Sequence, residues 1–394
     1  MERGDFVKKV TLIAPVLTQS GYGVHSRQIA KWLLSRKNID LKIIPVPWGE
    51  TPWLLNRDSH DGLIGKMMEK TTPLENSKGS DVTIQLQLPN EWNPTLGKIN
   101  IGITAGIETD KCNPEWIEAC NKMSSIVVPT QHVKDTFFRS GNVTTPIHVV
   151  PESYPDALKN QNPKQLNLNL TTENNFLIVS QLTGSNPFSD RKNTFFTIKW
   201  LCEVFADRPD VGIILKTNLG RNTAIDRKAV TNLMKQLLNE VRKNNSNPKF
   251  HLLHGAMTDE ELNSLYRHPK IKALISLTRG EGFGLPLLEA SVTGLPAITT
   301  NWSGHLDFMN KGRFISVDYK LEQIHSSRVD GKLFIEGSRW AQVQEEDFKK
   351  KVRKFVDSQT LPREWAQELS AKLTQEYSQS AIESYLNSAI GEYL

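Results

Sequence analysis

Two carboxylates bracket a glycine-lined turn in the stretch Glu281-Gly-Phe-Gly-Leu-Pro-Leu-Leu-Glu289. Carboxylates so placed can accept hydroxyl groups, and Gly280, Gly282 and Gly284 let backbone approach a ligand closely. A helix beginning in this stretch adds roughly half a positive charge at its N-terminus, which favours an anion such as a phosphate. Taken singly, Glu281 also suits a solvated loop and Glu289 a helix start favoured by its charge. As a pair framing three glycines, Phe283 and Pro286, they describe a ligand site. A second candidate is the adjacent pair Arg191 and Lys192. A planar guanidinium fork beside a mobile ammonium can neutralise a pyrophosphate, although a basic pair is also a common solvated feature.

The elements that must position these groups follow from hydrophobic pattern. Residues 272–277 read as a buried strand, 286–293 as a helix with Pro286 at its first position and Gly294 closing it, and 295–300 as the next strand. This βαβ order puts the glycine turn at the carboxyl end of a parallel strand, where open α/β sheets bind ligands. Arg191 and Lys192 fall between a strand at 176–180 and a helix at 194–205. Lys216 ends the strand 211–216, residues 221–243 form a basic surface helix, and the strand leading to His254 and Gly255 precedes a capping box, Thr258 to Glu261.

The first half repeats the scheme. A strand at 10–16 runs into Gly21, Tyr22, Gly23 and His25, and a helix follows at 26–35. Two glycines make only a weak dinucleotide fingerprint. His25 fits a capping or packing role as well as a chemical one. Further strands are expected at 41–47, 81–86, 99–104, 125–129 and 147–151, with a tryptophan-containing loop after the first of these. In the polar loop 106–110, Glu108 fits three roles: a general base, an anchor for an acceptor hydroxyl, or a partner of Lys111. The final segment, 361–394, is helical and amphipathic, and His305 in the glycine-containing loop 301–308 reads as structural.

At 394 residues the chain is long for one core and suits two domains. Hydrophobic content of 38% and charged content of 23% describe an ordinary globular protein, and a net charge of +5 neither demands nor excludes a nucleic acid or an anionic membrane. Three cysteines, with no C-x-x-C and no histidine cluster at ligand spacing, argue for a reducing compartment and against structural zinc; cytoplasmic localisation is expected. The N-terminal apolar run is short, broken by Pro15, and better read as a strand than as a signal peptide. No run approaches the ~20 apolar residues of a membrane span.

The segment from His254 and Gly255 through Glu260-Glu261-Leu262-Asn-Ser-Leu265-Tyr266 to Glu281 and Glu289 resembles the E-x7-E passage of retaining glycosyltransferases of family 4, the glycosyl transferases group 1. That resemblance implies an α/β GT-B fold: two Rossmann-like domains facing each other across a cleft, with a C-terminal helix crossing back to the first. The expected bounds are 1–157 for the acceptor-side domain, 158–175 for a linker, 176–370 for the nucleotide-sugar donor domain and 371–394 for the returning helix.

Roles carry over position by position. Glu281 contacts the donor sugar, Glu289 holds the ribose hydroxyls, and Arg191 and Lys192 act on the donor diphosphate. Gly255, Gly282, Phe283, Gly284, Leu285 and Lys216 are expected to bind the donor. Gly21, Tyr22, Gly23 and His25 form an acceptor and phosphate loop. Many members have a histidine in the loop corresponding to 106–110, where this chain has Glu108.

The implied activity is metal-independent transfer of a hexosyl or pentosyl group from a nucleotide-diphosphate-sugar, such as a UDP-sugar, to an acceptor hydroxyl, with retention and with no cofactor beyond the donor substrate. Glycan or glycoconjugate synthesis is the expected setting. The acceptor would be a glycan, a lipid-linked sugar, a small molecule or a modified nucleic acid, and peripheral membrane contact is compatible with it. The rival readings are a nucleotide-sugar epimerase and a non-catalytic nucleotide-sugar-binding protein.

Overall fold

The computed structural model of the chain describes residues 7–182, 186–242 and 246–394. The first residues of the charged N-terminal stretch, residues 183–185 of the loop before Arg191, and Lys243 at the end of the expected basic helix lie outside the described residues.

The chain forms two compact units. The first comprises residues 1–153, 331–335 and 379–394, and the second residues 154–330 and 336–378. In the first, strands β1 (Lys8–Ala14), β2 (Ile39–Pro45), β3 (Ser80–Leu86), β4 (Gly97–Ile103), β5 (Ser125–Val128) and β6 (Ile147–Val149) pair in the order β2-β1-β3-β4-β5-β6, all parallel. Its helices are α1 (Gly21–Leu34), α2 (Leu63–Glu69), α3 (Pro114–Cys120) and α4 (Gln131–Ser140). Parallel sheets are covered on both faces, which is why all five residues from Val10 to Ala14 are buried and four of them are apolar.

In the second unit the strands are β7 (Asn174–Val179), β8 (Val211–Thr217), β9 (Lys249–His254), β10 (Ile271–Ser276), β11 (Ala297–Thr300) and β12 (Ile315–Val317). They pair in the order β12-β11-β10-β7-β8-β9, again parallel. The helices are α5 (Thr194–Val204), α6 (Ala224–Arg242), α7 (Asp259–Tyr266), α8 (Leu285–Val292), α9 (Leu306–Met309), α10 (Glu345–Asp357) and α11 (Thr360–Glu376), and the antiparallel pair β13 (Tyr319–Gln323) and β14 (Arg339–Val343) lies outside the main sheet. The chain leaves β7 toward β8 and β9, then returns to lay β10 on β7's other edge. Between the carboxyl ends of β7 and β10 the connections therefore diverge, and such a switch point opens the crevice where α/β sheets bind ligands.

Several element bounds differ from expectation. Helix α8 begins at Leu285, so Pro286 occupies its second position; Gly284, in the left-handed region at φ +103°, precedes the helix and sets its start. Helix α6 begins at Ala224, which leaves Arg221 in the loop before it. The polar stretch after Asp156 packs on the second unit: Leu158 is fully buried, Leu166, Leu168 and Leu170 lie on the core, and Asn263 donates to the carbonyls of Ala157 (2.9 Å) and Asn160 (2.8 Å). Its spaced leucines fix that packing, while the intervening Asn, Gln and Lys dominate the composition.

The final amphipathic segment is two helices, with α11 in the second unit and α12 (Gln379–Ile390) in the first. Ile382, Leu386 and Ile390 enter the first unit's core with Leu12, Ile29 and Leu33. The Trp32 indole donates to Asn387 Oδ1 at 3.0 Å, and Gln379 Nε2 donates to the Gln28 carbonyl at 3.1 Å. Leu386→Ala should cost about 2–5 kcal/mol of the first unit's stability. Chemical denaturation followed by probes in each unit should show that transition moving to lower denaturant while the second unit's midpoint stays in place.

Candidate functional site

The two loops at the β7–β10 switch point carry the charged residues singled out in the sequence. Asp190 shapes the first: its carboxylate accepts from the backbone N–H of Lys192 (3.0 Å) and of Thr194 (2.6 Å), capping α5, while Asn193 takes a left-handed conformation at φ 56°. Arg279 N–H donates to the Arg191 carbonyl at 2.8 Å and so ties the first loop to the end of β10.

Glu281 stands at the centre. Its side chain is buried, with Lys192 Nζ 2.6 Å from one carboxylate oxygen and Arg191 Nη1 3.3 Å from the other. Arg191 Nη1 also donates to the Gly280 carbonyl at 2.6 Å. Burial alone would push the carboxyl up, but the charges of Lys192 and Arg191 and the Lys192 hydrogen bond outweigh it and bring Glu281 down to about 2. It is a fixed anion held between two cations.

Behind Glu281, its N–H donates to Ser303 Oγ at 2.9 Å and its carbonyl accepts from Gly304 N–H at 2.9 Å. Ser303 holds φ at 90°, a conformation that non-glycine residues rarely adopt and that clusters at functional sites. A Cβ on Gly304 would lie 2.2 Å from the Gly282 carbonyl oxygen, so only glycine fits beneath the turn. His305 is fully buried and its Nε2 donates to the Thr300 carbonyl at 2.8 Å; desolvation keeps the ring neutral.

Glu289 lies on α8 and is also buried, but differently partnered. Tyr266, at the end of α7, donates its hydroxyl to Glu289 Oε2 at 2.8 Å. Burial raises the carboxyl to about 7; the Tyr266 hydrogen bond and the charge of Lys216 pull it down, and Asp259 pushes it up. Lys216, at the end of β8, is itself lowered by burial and supported by Glu289. The two glutamates of one motif thus sit in opposite electrostatic settings, one locked as an anion and one near neutrality at pH 7.

The other expected donor residues fall on the same sheet edge. Gly282 and Gly284 form the turn, Leu285 opens α8 against the core, and Gly255 follows β9 at φ 103°. The Phe283 ring packs with Phe308 at 5.3 Å and Tyr377 at 6.5 Å in the core, which leaves its backbone to face the turn. Beside Gly255, His254 Nε2 lies 2.5 Å from Asp226 Oδ2, which also accepts from Leu219 N–H at 3.1 Å. Asp226 therefore joins the loop after β8 to the end of β9. Tyr266 stands in the passage 254–289 that resembles the family and Ser303 in the glycine-containing loop 301–308, but neither these contacts nor that of Asp226 were foreseen from sequence, because each is made with a partner more than 20 residues away.

In the first unit, Ser20 caps α1 by accepting from Gly23 N–H at 2.9 Å. A Cβ on Gly23 would meet the Thr18 carbonyl at 2.1 Å, so the loop requires glycine there. Tyr22 accepts from Ala105 N–H at 3.1 Å and hydrogen-bonds Thr104 Oγ1 at 3.0 Å, and its ring stacks on Trp48 at 3.7 Å. Glu108 is half-buried and its charge reaches the Tyr22 hydroxyl. His25 is buried, 4.0 Å from Glu152, and burial lowers it to about 4, so it is a neutral packed ring at pH 7. Gly21 opens α1 with open space around it. Among the described residues no group of three or more His, Cys, Asp or Glu is placed to hold a metal ion, and no helix is long and apolar enough to cross a membrane.

Residues 232–326, about a quarter of the chain, match the glycosyl transferases group 1 family, and the match contains Glu281 and Glu289. None of the curated proteins matches the chain in sequence. In three dimensions the chain is similar to a glycosyltransferase from Rickettsia africae ESF-5 (TM-score 0.64, 12% identity, 98% of each chain covered) and to sucrose-phosphate synthase from Thermosynechococcus elongatus (0.62, 12%, 98% of each). It is similar also to an E. coli trehalose-6-phosphate protein bound with UDP-2-fluoro glucose (0.60, 9%, 98% of each). The fold is the GT-B fold. More narrowly, the segment 232–326 of the second unit is similar to the glycosyl transferases group 1.

The opposite settings of the two glutamates have a thermodynamic consequence. Glu289 titrates near 4.5 when unfolded and about 7 when folded. Its contribution to stability is therefore complete below pH 4.5 and lost as pH rises through 7. Glu289→Gln, which never ionises, should be more stable than the parent at pH 8 by up to about 3 kcal/mol, with the difference closing toward pH 5. Denaturant titrations at the two pH values check this.

Proposed function

We propose that this chain transfers a sugar from a nucleoside-diphosphate sugar to an acceptor hydroxyl with retention of anomeric configuration. The observation that carries the reading is the buried Glu281 held between Lys192 and Arg191 at the β7–β10 switch point, next to the N-terminus of α8. A diphosphate bound there meets two cations and a helix N-terminus, and the sugar attached to it meets Glu281. Similarity to a protein bound with UDP-2-fluoro glucose supports a UDP-sugar as the first donor to try.

The chemistry follows from charge. The bond from the anomeric carbon to the diphosphate oxygen breaks, negative charge grows on that oxygen, and Arg191, Lys192 and the α8 N-terminus stabilise it more in the transition state than in the ground state. Glu281 orients the sugar and stabilises the positive character developing at its anomeric carbon. The acceptor oxygen bonds to the same face, and its proton goes to the departing phosphate oxygen, so no protein nucleophile is needed. Glu289 in its ionised form accepts the ribose hydroxyls, with its other oxygen held by Tyr266.

Four measurements test this. Among UDP-, GDP- and ADP-sugars, one should raise the melting temperature, because a ligand of the folded state stabilises it. With that donor, Arg191→Ala and Lys192→Ala should each lower kcat by roughly 10²–10³-fold, as loss of a group stabilising a developing anion does. Glu281→Gln transferring sugar at the parent rate would refute the role given to Glu281. Donor KM should rise as pH falls below about 7, as Glu289 takes up a proton, and the rise should be absent in Glu289→Gln.

A further inference from the structure

Arg279 stands two residues before Glu281 and is only 4% exposed. Its contacts reach two segments that are far from it in the chain. Toward the loop of Arg191 and Lys192, its N–H donates to the Arg191 carbonyl at 2.8 Å, and Nη2 lies 3.4 Å from Asn193 Oδ1 and 3.5 Å from the Pro187 carbonyl. Toward the antiparallel pair β13 and β14, its carbonyl accepts from Ala341 N–H at 2.9 Å and Nη1 donates to Gln342 Oε1 at 2.6 Å. The guanidinium also lies over the rings of Trp340 on β14 (5.3 Å) and Phe196 on α5 (6.0 Å). One residue thus fastens loop 187–193, the Glu281 turn and β14 to each other.

Stability alone does not call for an arginine at this position. Burial lowers its pKa to about 10, and the charges of Asp190 and Glu322 offset only part of that. Among the described residues Arg279 forms no direct ion pair, and its buried Nε has no hydrogen-bond partner. A buried charge in that state carries a desolvation penalty that an apolar side chain of similar size would not. What an arginine adds is geometry: a planar fork with donors at fixed spacing, able to hold Gln342 and Asn193 a set distance apart. Loop 187–193 needs such a brace. Asn193 is held in the left-handed region at φ 56°, and the side chains of Arg191 and Lys192 are only 18% and 19% exposed, so a small shift of the loop would take both cations off Glu281.

We propose that Arg279 is a positioning residue, whose fork sets loop 187–193 against β14 so that Arg191 and Lys192 converge on Glu281. That this placement serves sugar transfer rests on the glycosyl-transfer reading; the placement of the two cations does not.

Three variants of the full chain test it. Arg279→Met fills the volume without charge or donors, Arg279→Lys keeps the charge without the fork, and Gln342→Leu removes the 2.6 Å bond and leaves Arg279 in place. The first readout needs no ligand. With carbon-13 at the glutamate carboxyls, the Glu281 signal is assigned by its loss in Glu281→Gln. In the parent it should stay at its ionised position from about pH 8 to about pH 5, because Glu281 titrates at about 2. In Arg279→Met it should titrate inside that window, since burial without the cations pushes the carboxyl up. Gln342→Leu should move it in the same direction by less, and decides alone if Arg279→Met does not fold. The second readout is turnover of the nucleotide sugar. Arg279→Met should lower kcat by about 10–100-fold, the scale of a small misplacement of reacting groups, with donor KM moving much less. Arg279→Lys should recover part of that loss. The proposal is overturned if the Glu281 signal stays as flat in Arg279→Met and Gln342→Leu as in the parent, or if Arg279→Met keeps the parent kcat. If no nucleotide sugar is turned over, the glycosyl-transfer reading falls and the carbon-13 titration still decides where the cations stand, so the two failures are distinguishable.

Discussion

The carboxyl edge of the second unit's sheet depends on one buried contact, the carboxylate of Glu281 shared between Lys192 at 2.6 Å and Arg191 at 3.3 Å. Each partner needs the others. Without the cations, burial would keep Glu281 neutral; without Glu281, two adjacent cations would repel each other in a half-buried loop. The contact also joins the two diverging connections of the β7–β10 switch point, so the electrostatics and the topology fix the same place. A buried ion pair of this kind is costly in desolvation and is weak as a source of stability. What it provides is charge already desolvated and oriented at the crevice of the switch point, the arrangement on which the proposed function rests.

Glu289 shows the same principle with the opposite outcome. It lies one turn of sequence beyond the glycine loop, yet the helix turns it toward Tyr266 and Lys216, and burial outweighs their support. Two chemically identical side chains in one motif are thereby given different protonation behaviour, as suits one group that must stay an anion and one that exchanges hydrogen bonds with neutral hydroxyls. The first unit has a contrasting edge, where Tyr22 stacks on Trp48 and feels the charge of Glu108 and Glu152.

Much of this was legible in the residues. The strand, glycine turn and helix around Glu281 followed from apolar runs, Pro286 and the three glycines, because parallel strands are buried on both faces and a helix start has few ways to be written. The two-sheet α/β class followed from the alternation of such units. Bounds were less secure where local signals conflicted. Pro286 suits either of the first two helical positions, and Gly284 decided between them. The leucines among the polar residues after Asp156 were hidden by composition and show themselves only by packing. The break between α11 and α12 lies in a continuous amphipathic pattern, and the units' separate cores divide it.

By itself, the sequence determined the elements, the parallel order of strand and helix, and the residue types that could grip a sugar nucleotide, since these depend on neighbours within about a dozen positions. The tertiary structure alone decided that Lys192 meets Glu281 across 89 residues of chain with Arg191 beside it, that Tyr266 holds Glu289, and that Trp48 lies on Tyr22. Those contacts arise from which strand edges pair, a choice made by burial summed over a whole sheet, and no local pattern records it.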